Sequence, residues 1–175
     1  FQGVGSGWVI EQVSDATLHI AKYAPIAGSS YIPLPKKLAS KKAIVNIQNN
    51  DEMCFIWSIL AGLHTGFHNP QRVAQYRRFL NELDIRNLTF PVTVDQIEPF
   101  CLLNQLSIGV YGFNNNVYPI LLPKQRFQRH VDLLLLKEDD RFHYCCISDL
   151  DRLLYDRNAH HNKKYHCRIC LRVFY

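Results

Sequence analysis

No apolar run in this sequence approaches the length of about 18 residues that a membrane-spanning helix needs, so no such span is expected. A basic start followed by an apolar centre, the mark of a secretory signal, is also missing. The opening Phe1-Gln2-Gly3 reads as the scar of a cleavable tag and is set aside. There is no internal repeat. Six cysteines are present, but not in the pattern of a disulfide framework. Cys145-Cys146 is an adjacent pair, which rarely bridges to itself, and Cys167-Arg168-Ile169-Cys170 has metal-ligand spacing. An intracellular, reducing compartment is therefore expected. Strong charge of one sign is lacking too. The net charge is +5 and the basic residues are scattered until the end of the chain. That leaves room only for a modest affinity toward nucleic acid or an acidic protein face.

What remains is ordinary globular composition: 175 residues, 47% hydrophobic and 20% charged. One domain is expected, and a chain of this size buries roughly 68–70% of its unfolded surface. "GWVIEQV" and "TLHIAKY", separated by Ser14-Asp15-Ala16, read as an N-terminal hairpin. "PIAGSSYIPLPKKLASKK" reads as a surface connector. Helices are predicted over Met53–His64, over Pro70–Leu83 with apolar residues at 3–4 spacing, and over "VDQIEPFCLLN", which Pro99 should shorten or bend. Four strands follow: "LSIGVYGF" and "VYPILL" around Asn114-Asn115-Asn116, then "HVDLLLL" and "FHYCCIS" around Lys137–Arg141. In meander order they would form an antiparallel sheet for the helices to cover. "SDLDRLLYD" reads as a short helix capped by Ser148 or Asp149. The expected organisation is hairpin and connector over 1–43, a core of helices and sheet over 44–156 and a basic Cys/His tail over 157–175.

Cys54 stands at the start of the first helix, behind the amide-rich loop "NIQNNDEM". A helix N-terminus favours a thiolate, because its unpaired N–H groups and the dipole favour negative charge. The same N–H groups can line an oxyanion hole. Asp51 is placed to cap the first turn. Against this stands the plain alternative that a free cysteine is a small buried hydrophobe. A nucleophilic cysteine needs a base and an orienter. Of eight histidines, His64 and His68 lie too far along the cysteine helix, His19 is in the hairpin, and His160, His161 and His166 are in the tail. His130 is followed at i+2 by Asp132, on the same face of a strand, where the carboxylate can orient the ring. His143 continues an apolar strand and reads as structural, with Asp149 as its candidate partner.

These residues resemble the papain-like deubiquitinases of the ovarian-tumour (OTU) and herpesviral large-tegument types. The likeness lies in Asp51-Glu52-Met53-Cys54 followed by Phe55-Ile56, and in His130-Val131-Asp132-Leu133-Leu134 at a strand start after "SIGVYGF" and "VYPILL". Glu52-Met53 departs from the OTU preference for Gly-Asn and favours a tegument-like branch. Nearly the whole chain, from "GSGW" through "NIQNNDEMCFIWSILAGLH", "HVDLLLL" and "HYCCISDLDRLL" to "KKYHCRICLRVF", also resembles a domain of Maverick/Polinton-type DNA transposon proteins. Together the resemblances imply an α+β papain-like fold and a deubiquitinase. In that reading Cys54 attacks the ubiquitin C-terminal carbonyl, His130 moves the proton and Asp132 orients it. Gln48, Asn49, Asn50 or Asp51 would complete the oxyanion hole, Gln48 first.

No cofactor is required by that chemistry. Cys167 and Cys170 supply two of the four ligands of a structural zinc, with His160, His161 and His166 nearby, so the site is incomplete. Ubiquitin or its chains are the expected partner, no membrane is expected, and the basic tail could touch nucleic acid. Two alternatives stay open: a nucleic-acid-binding or replication-associated module with Cys54 merely buried, and a cysteine protease for a ubiquitin-like modifier or polyprotein.

Overall fold

A computed structural model describes residues 31–155 and 165–174. The expected N-terminal hairpin, with His19, lies outside the described residues, as do His160 and His161.

The cysteine helix forms nearly as expected, as α2 (Cys54–Leu63), after a short α1 (Lys36–Ala39) and a two-residue strand β1 (Ile44–Val45). Every residue of α2 from Cys54 to Ala61 is buried. A helix apolar on all sides must be covered on all sides. One side of α2 lies on the sheet, with Phe55 edge-on to Tyr144 at a centroid distance of 5.2 Å, and Phe55 also meets Phe100 of α3 (Val94–Asn104) at 5.4 Å. The third helix thus appears with Pro99 inside it.

The predicted helix over 70–83 is instead two 3₁₀ segments, Val73–Gln75 and Arg77–Glu82. Its first residues are spent on other bonds. Gln71 accepts from the Gln48 backbone N–H at 2.8 Å, and the Tyr76 hydroxyl donates to the Pro70 carbonyl at 2.7 Å. Tyr76 is thereby pulled into the core, at 1% exposure.

The four predicted strands are present as β2 (Leu106–Asn114), β3 (Asn116–Leu121), β4 (Arg129–Glu138) and β5 (Arg141–Ile147). Asn115 takes the left-handed conformation its turn requires (φ 62°). The order is not a meander. The five-stranded sheet runs β1-β5-β4-β2-β3, with β2 and β4 parallel and every other pair antiparallel. The β2–β3 hairpin lies at the edge, and the chain recrosses its foot before β4. Ser107 clamps that crossing: its hydroxyl accepts from Phe127 N–H at 2.7 Å and donates to the Gln125 carbonyl at 3.2 Å.

Alternation on the strands divides the core. Val131, Leu133, Leu135, Tyr144 and Cys146 face α2. Leu134, Leu136, Cys145 and Ile147 face the other way, toward Ile32, Leu38 and the residues of α4 (Leu150–Leu154). Asp149 caps α4, accepting from Arg152 N–H at 2.9 Å. The tail folds as a small hairpin, β6 (Tyr165–His166) with β7 (Val173–Phe174), seated on this second face. No helix among the described residues is long and apolar enough to cross a membrane.

Candidate active site

Cys54 is the first residue of α2 and 2% exposed. The loop before it is built largely by Asp51, whose carboxylate accepts from Met53 N–H at 3.0 Å and from the Trp57 indole at 3.0 Å. Trp57 is buried one turn into the helix, and its only polar atom needs that partner. The Asn49 amide nitrogen donates back to the Asp51 carbonyl and carboxylate at 2.5 and 3.0 Å. Of the four residues expected at the oxyanion hole, Asn49 and Asp51 are therefore committed to holding the loop. Gln48 is pinned by its backbone to Gln71 while its side chain is exposed, as is that of Asn50.

His130 and Asp132 come together as expected, with Nε2 to Oδ1 at 2.8 Å. Asp132 is 6% exposed and also accepts from Arg168 Nε at 3.0 Å. Burial works against its charged form, but the bonds from His130 and Arg168 outweigh it and hold the carboxyl below its usual range. Gly109 makes room for this arrangement: a Cβ there would lie 2.7 Å from the carboxylate oxygen.

Cys54 is not brought to this pair, which corrects the expected Cys54–His130–Asp132 triad. Gly62, near the far end of α2, packs against the start of β4, where a Cβ would meet Val131 at 2.7 Å and Cys146 Sγ at 3.3 Å. Eight residues of helix separate Gly62 from Cys54, about 12 Å of rise. His130 and Asp132 share the alternation of Leu134 and Leu136, and His143 shares that face with Cys145 and Ile147, so it is distance along the strands, not the face, that sets His130 apart from Cys54. The motif was legible because its partners are two residues apart, but which end of the sheet meets the helix start is a tertiary fact.

The helix start meets the other end. Ser58 donates to the Tyr144 carbonyl at 2.8 Å, so α2 runs alongside β5 in the same direction, with Gly62 at Cys146 and Cys54 a turn before Tyr144. A charge on Cys54 would be felt at both Tyr144 and Cys145. Beside them is His143, fully buried, with Nε2 2.9 Å from Asn46 Oδ1. Asn46 Nδ2 donates to the Ile32 carbonyl at 2.8 Å, which turns its oxygen toward His143 and toward the Cys145 thiol, at 3.2 Å. The neutral ring therefore carries its proton on Nε2. His143 Nδ1 is buried without a hydrogen-bond partner among the described residues. Burial pushes the imidazole down to about 4, partly offset by the Ile47 backbone. Asp149, the partner expected from the sequence, instead caps α4. Asn46 went unnoticed in the sequence, because a lone Asn 97 residues upstream of His143 gives no spacing signal.

The tail cysteines form a tight turn. Ile169 N–H points at Cys167 Sγ at 3.4 Å, Leu171 N–H donates to the Cys167 carbonyl at 2.7 Å, and Leu171 is left-handed at φ 56°. N–H groups of Cys170 and Ile169 lower the Cys167 thiol below its ordinary value. Of the three histidines expected near these cysteines, His166 bonds Asp151 through Nδ1 at 3.1 Å, and His160 and His161 lie outside the described residues. No group of three or more metal-ligating side chains is gathered among the described residues.

No family model, curated protein or solved structure matches this chain.

Proposed function

We propose that this protein is a cysteine hydrolase of papain-like architecture that cleaves the (iso)peptide bond at a ubiquitin C-terminus, with Cys54 as nucleophile, His143 as base and Asn46 as its orienter. The observation that carries the reading is a buried, neutral His143 whose Nε2 is held by Asn46 and whose Nδ1 has no hydrogen-bond partner among the described residues, near the start of β5 at the level where α2 begins. Burying an imidazole nitrogen with no partner costs about 1–3 kcal/mol. Such a cost persists where the atom has a use. The choice of ubiquitin as substrate rests on the resemblance of the Cys54 loop and strand order to tegument-type deubiquitinases.

In this mechanism Cys54 gives its proton to His143 Nδ1 as sulfur bonds to the scissile carbonyl carbon. The resulting imidazolium keeps its Nε2–H on Asn46, which fixes ring orientation through both proton transfers. Oxyanion charge falls on the N–H groups at the start of α2, with Gln48 or Asn50 free to add an amide. When the C–N bond breaks, Nδ1 returns the proton to the leaving amine and a thioester remains. Water then attacks the thioester, losing its proton to Nδ1, and the thiol is regenerated as the carboxylate leaves. No cofactor takes part. The Cys167–Cys170 turn is a half-site that would need two further ligands to hold zinc.

The test is reaction with ubiquitin carrying a C-terminal electrophile. A covalent adduct is expected that disappears in Cys54→Ala. A folded protein that forms no adduct would sink the proposal, and labelling by another modifier but not ubiquitin would redirect it to that modifier.

A further inference from the structure

The tail cysteine pair takes no part in the chemistry proposed for Cys54. Cys167 and Cys170 frame the turn that joins β6 to β7, Cys167 half-buried and Cys170 exposed, both as free thiols. Leu171 N–H donates to the Cys167 carbonyl at 2.7 Å, the i-to-i+4 bond of an α-helical turn. Helical geometry puts Cα atoms three residues apart at about 5 Å, inside the span of about 4.4–6.8 Å that a disulfide needs. The sulfurs are turned toward each other, with the Cys170 thiol in hydrogen-bond reach of Cys167 Sγ. The turn is also held from both sides. Cys167 N–H donates to the Arg172 carbonyl at 2.9 Å, which closes the hairpin. Between the cysteines, Arg168 holds Asp132 of β4 through Nε at 3.0 Å, and its carbonyl accepts from the Tyr111 hydroxyl of β2 at 3.0 Å.

We propose that Cys167 and Cys170 form a redox site: a dithiol that the fold holds ready to close into a disulfide by exchange with a low-molecular-weight disulfide, of which glutathione disulfide is the probe. Cys170 is the sulfur that an external reagent meets first. It loses its proton and attacks one sulfur of the reagent R–S–S–R; that S–S bond breaks, and the first R–S⁻ leaves and takes up a proton. Cys167 then loses its proton and attacks the Cys170 sulfur of the mixed disulfide, expelling the second R–S⁻, which is protonated in turn. Two protein thiols become one disulfide and the reagent becomes two thiols, so electrons and protons balance. Ring closure uses order that the turn already has, which raises the effective concentration of Cys167 at Cys170. Arg168 lies inside the closed ring, so the disulfide also stiffens its grip on Asp132.

The full chain is equilibrated in glutathione buffers of rising oxidised share, quenched with acid, alkylated and read by peptide mass. The peptide carrying 167–170 is expected to lose two hydrogens at about tenfold less glutathione disulfide than in the same chain unfolded in urea. Mixed glutathione adducts stay minor in wild type, whereas Cys167→Ser is expected to trap glutathione on Cys170. Arg168→Ala keeps both sulfurs and loosens the turn, so most of the tenfold difference is expected to disappear; thermal melts show that both variants fold. The site is refuted if the folded chain closes no more readily than the unfolded one. It is equally refuted if wild-type Cys170 keeps glutathione while Cys167 stays a thiol, or if zinc held on the two sulfurs resists the oxidised buffers. Because the readout is the sulfur pair itself, failure of the ubiquitin adduct leaves this site standing.

Discussion

Two histidines on one sheet face have opposite surroundings. His130 stands at the start of β4, 29% exposed at its side chain, with a carboxylate on the next same-face position and an arginine beyond it. His143 stands at the start of β5, fully buried, with a neutral amide brought from 97 residues away and a nitrogen without a partner among the described residues. Leu136 pairs with His143, so six residues of β4 separate the two, about 20 Å. On the proposed reading the difference is one of purpose. A charged partner fixes a histidine cheaply and locally, and at His130 the carboxylate also takes Arg168, so the unit fastens the tail hairpin to the core. A neutral partner orients a ring without charging it. That suits a base that must be unprotonated at rest and must receive a proton during reaction.

The sharpest way to break this contrast is to remove each ring in turn. His143→Ala is expected to lower turnover of a ubiquitin C-terminal substrate by roughly 10²–10⁴-fold, the usual worth of a general base. His130→Ala is expected to stay within about threefold of wild type, having no part in the proton path. Circular dichroism shows whether each variant keeps its fold. Loss of turnover in His130→Ala with His143→Ala active would restore the motif-based triad and reject the proposal.

The same contrast has a signature in acid. The His143 imidazole is held down to about 4 by burial, against an ordinary value of 6.5. The unfolded chain therefore takes up this proton before the folded one does. Stability supported by a neutral His143 is complete above pH 6.5 and is lost as pH falls toward 4. A shift of this size corresponds to about 3 kcal/mol. Melting temperature measured from pH 7 to pH 4 should fall through this window, and the fall should shrink in His143→Gln. An unchanged slope in that variant would mean that the ring is not the buried neutral group described.

Much of the architecture was readable in the chain. Strong periodicity or continuous apolar runs marked α2, α3 and β2 to β5, and Asn115 announced its turn. Misreadings arose where partners distant in sequence took over. The 70–83 stretch has helical spacing, but Gln48 and Pro70 claim its first bonds and draw it into 3₁₀ turns. The strands alternate properly, yet nothing in them says that the β2–β3 hairpin swings to the edge and leaves β2 parallel to β4. The candidate site divides in the same manner. Cys54 and the structural work of Asp51 are local features of a helix start. His130-x-Asp132 was visible for the same local reason, and its visibility made it look catalytic. The His143–Asn46 pair is made by strand β1 running out beside β5, and no spacing rule could have announced it.

The smallest expected effect tests the other half of the comparison, the fastening role of Asp132. This carboxylate sits in a notch that Gly109 leaves open, and it accepts from one half-exposed and one exposed partner. Asp132→Asn keeps its shape and removes its charge, so both bonds weaken without creating a cavity. The cost to global stability should be about 1–2 kcal/mol, as for loss of charge-assisted hydrogen bonds. A larger share should appear locally. Arg168 would lose its grip on β4 while its carbonyl still accepts from the Tyr111 hydroxyl at 3.0 Å, so the 165–174 hairpin should loosen without detaching. Amide exchange in that hairpin is expected to quicken, most at Leu171 and at His166, with exchange in α2 and β5 unaltered. Arg168→Ala should reproduce the pattern, and ubiquitin-adduct formation should be unaffected in both. If Asp132→Asn instead abolished the adduct while the hairpin kept its protection, the two ends of the sheet would have to exchange roles.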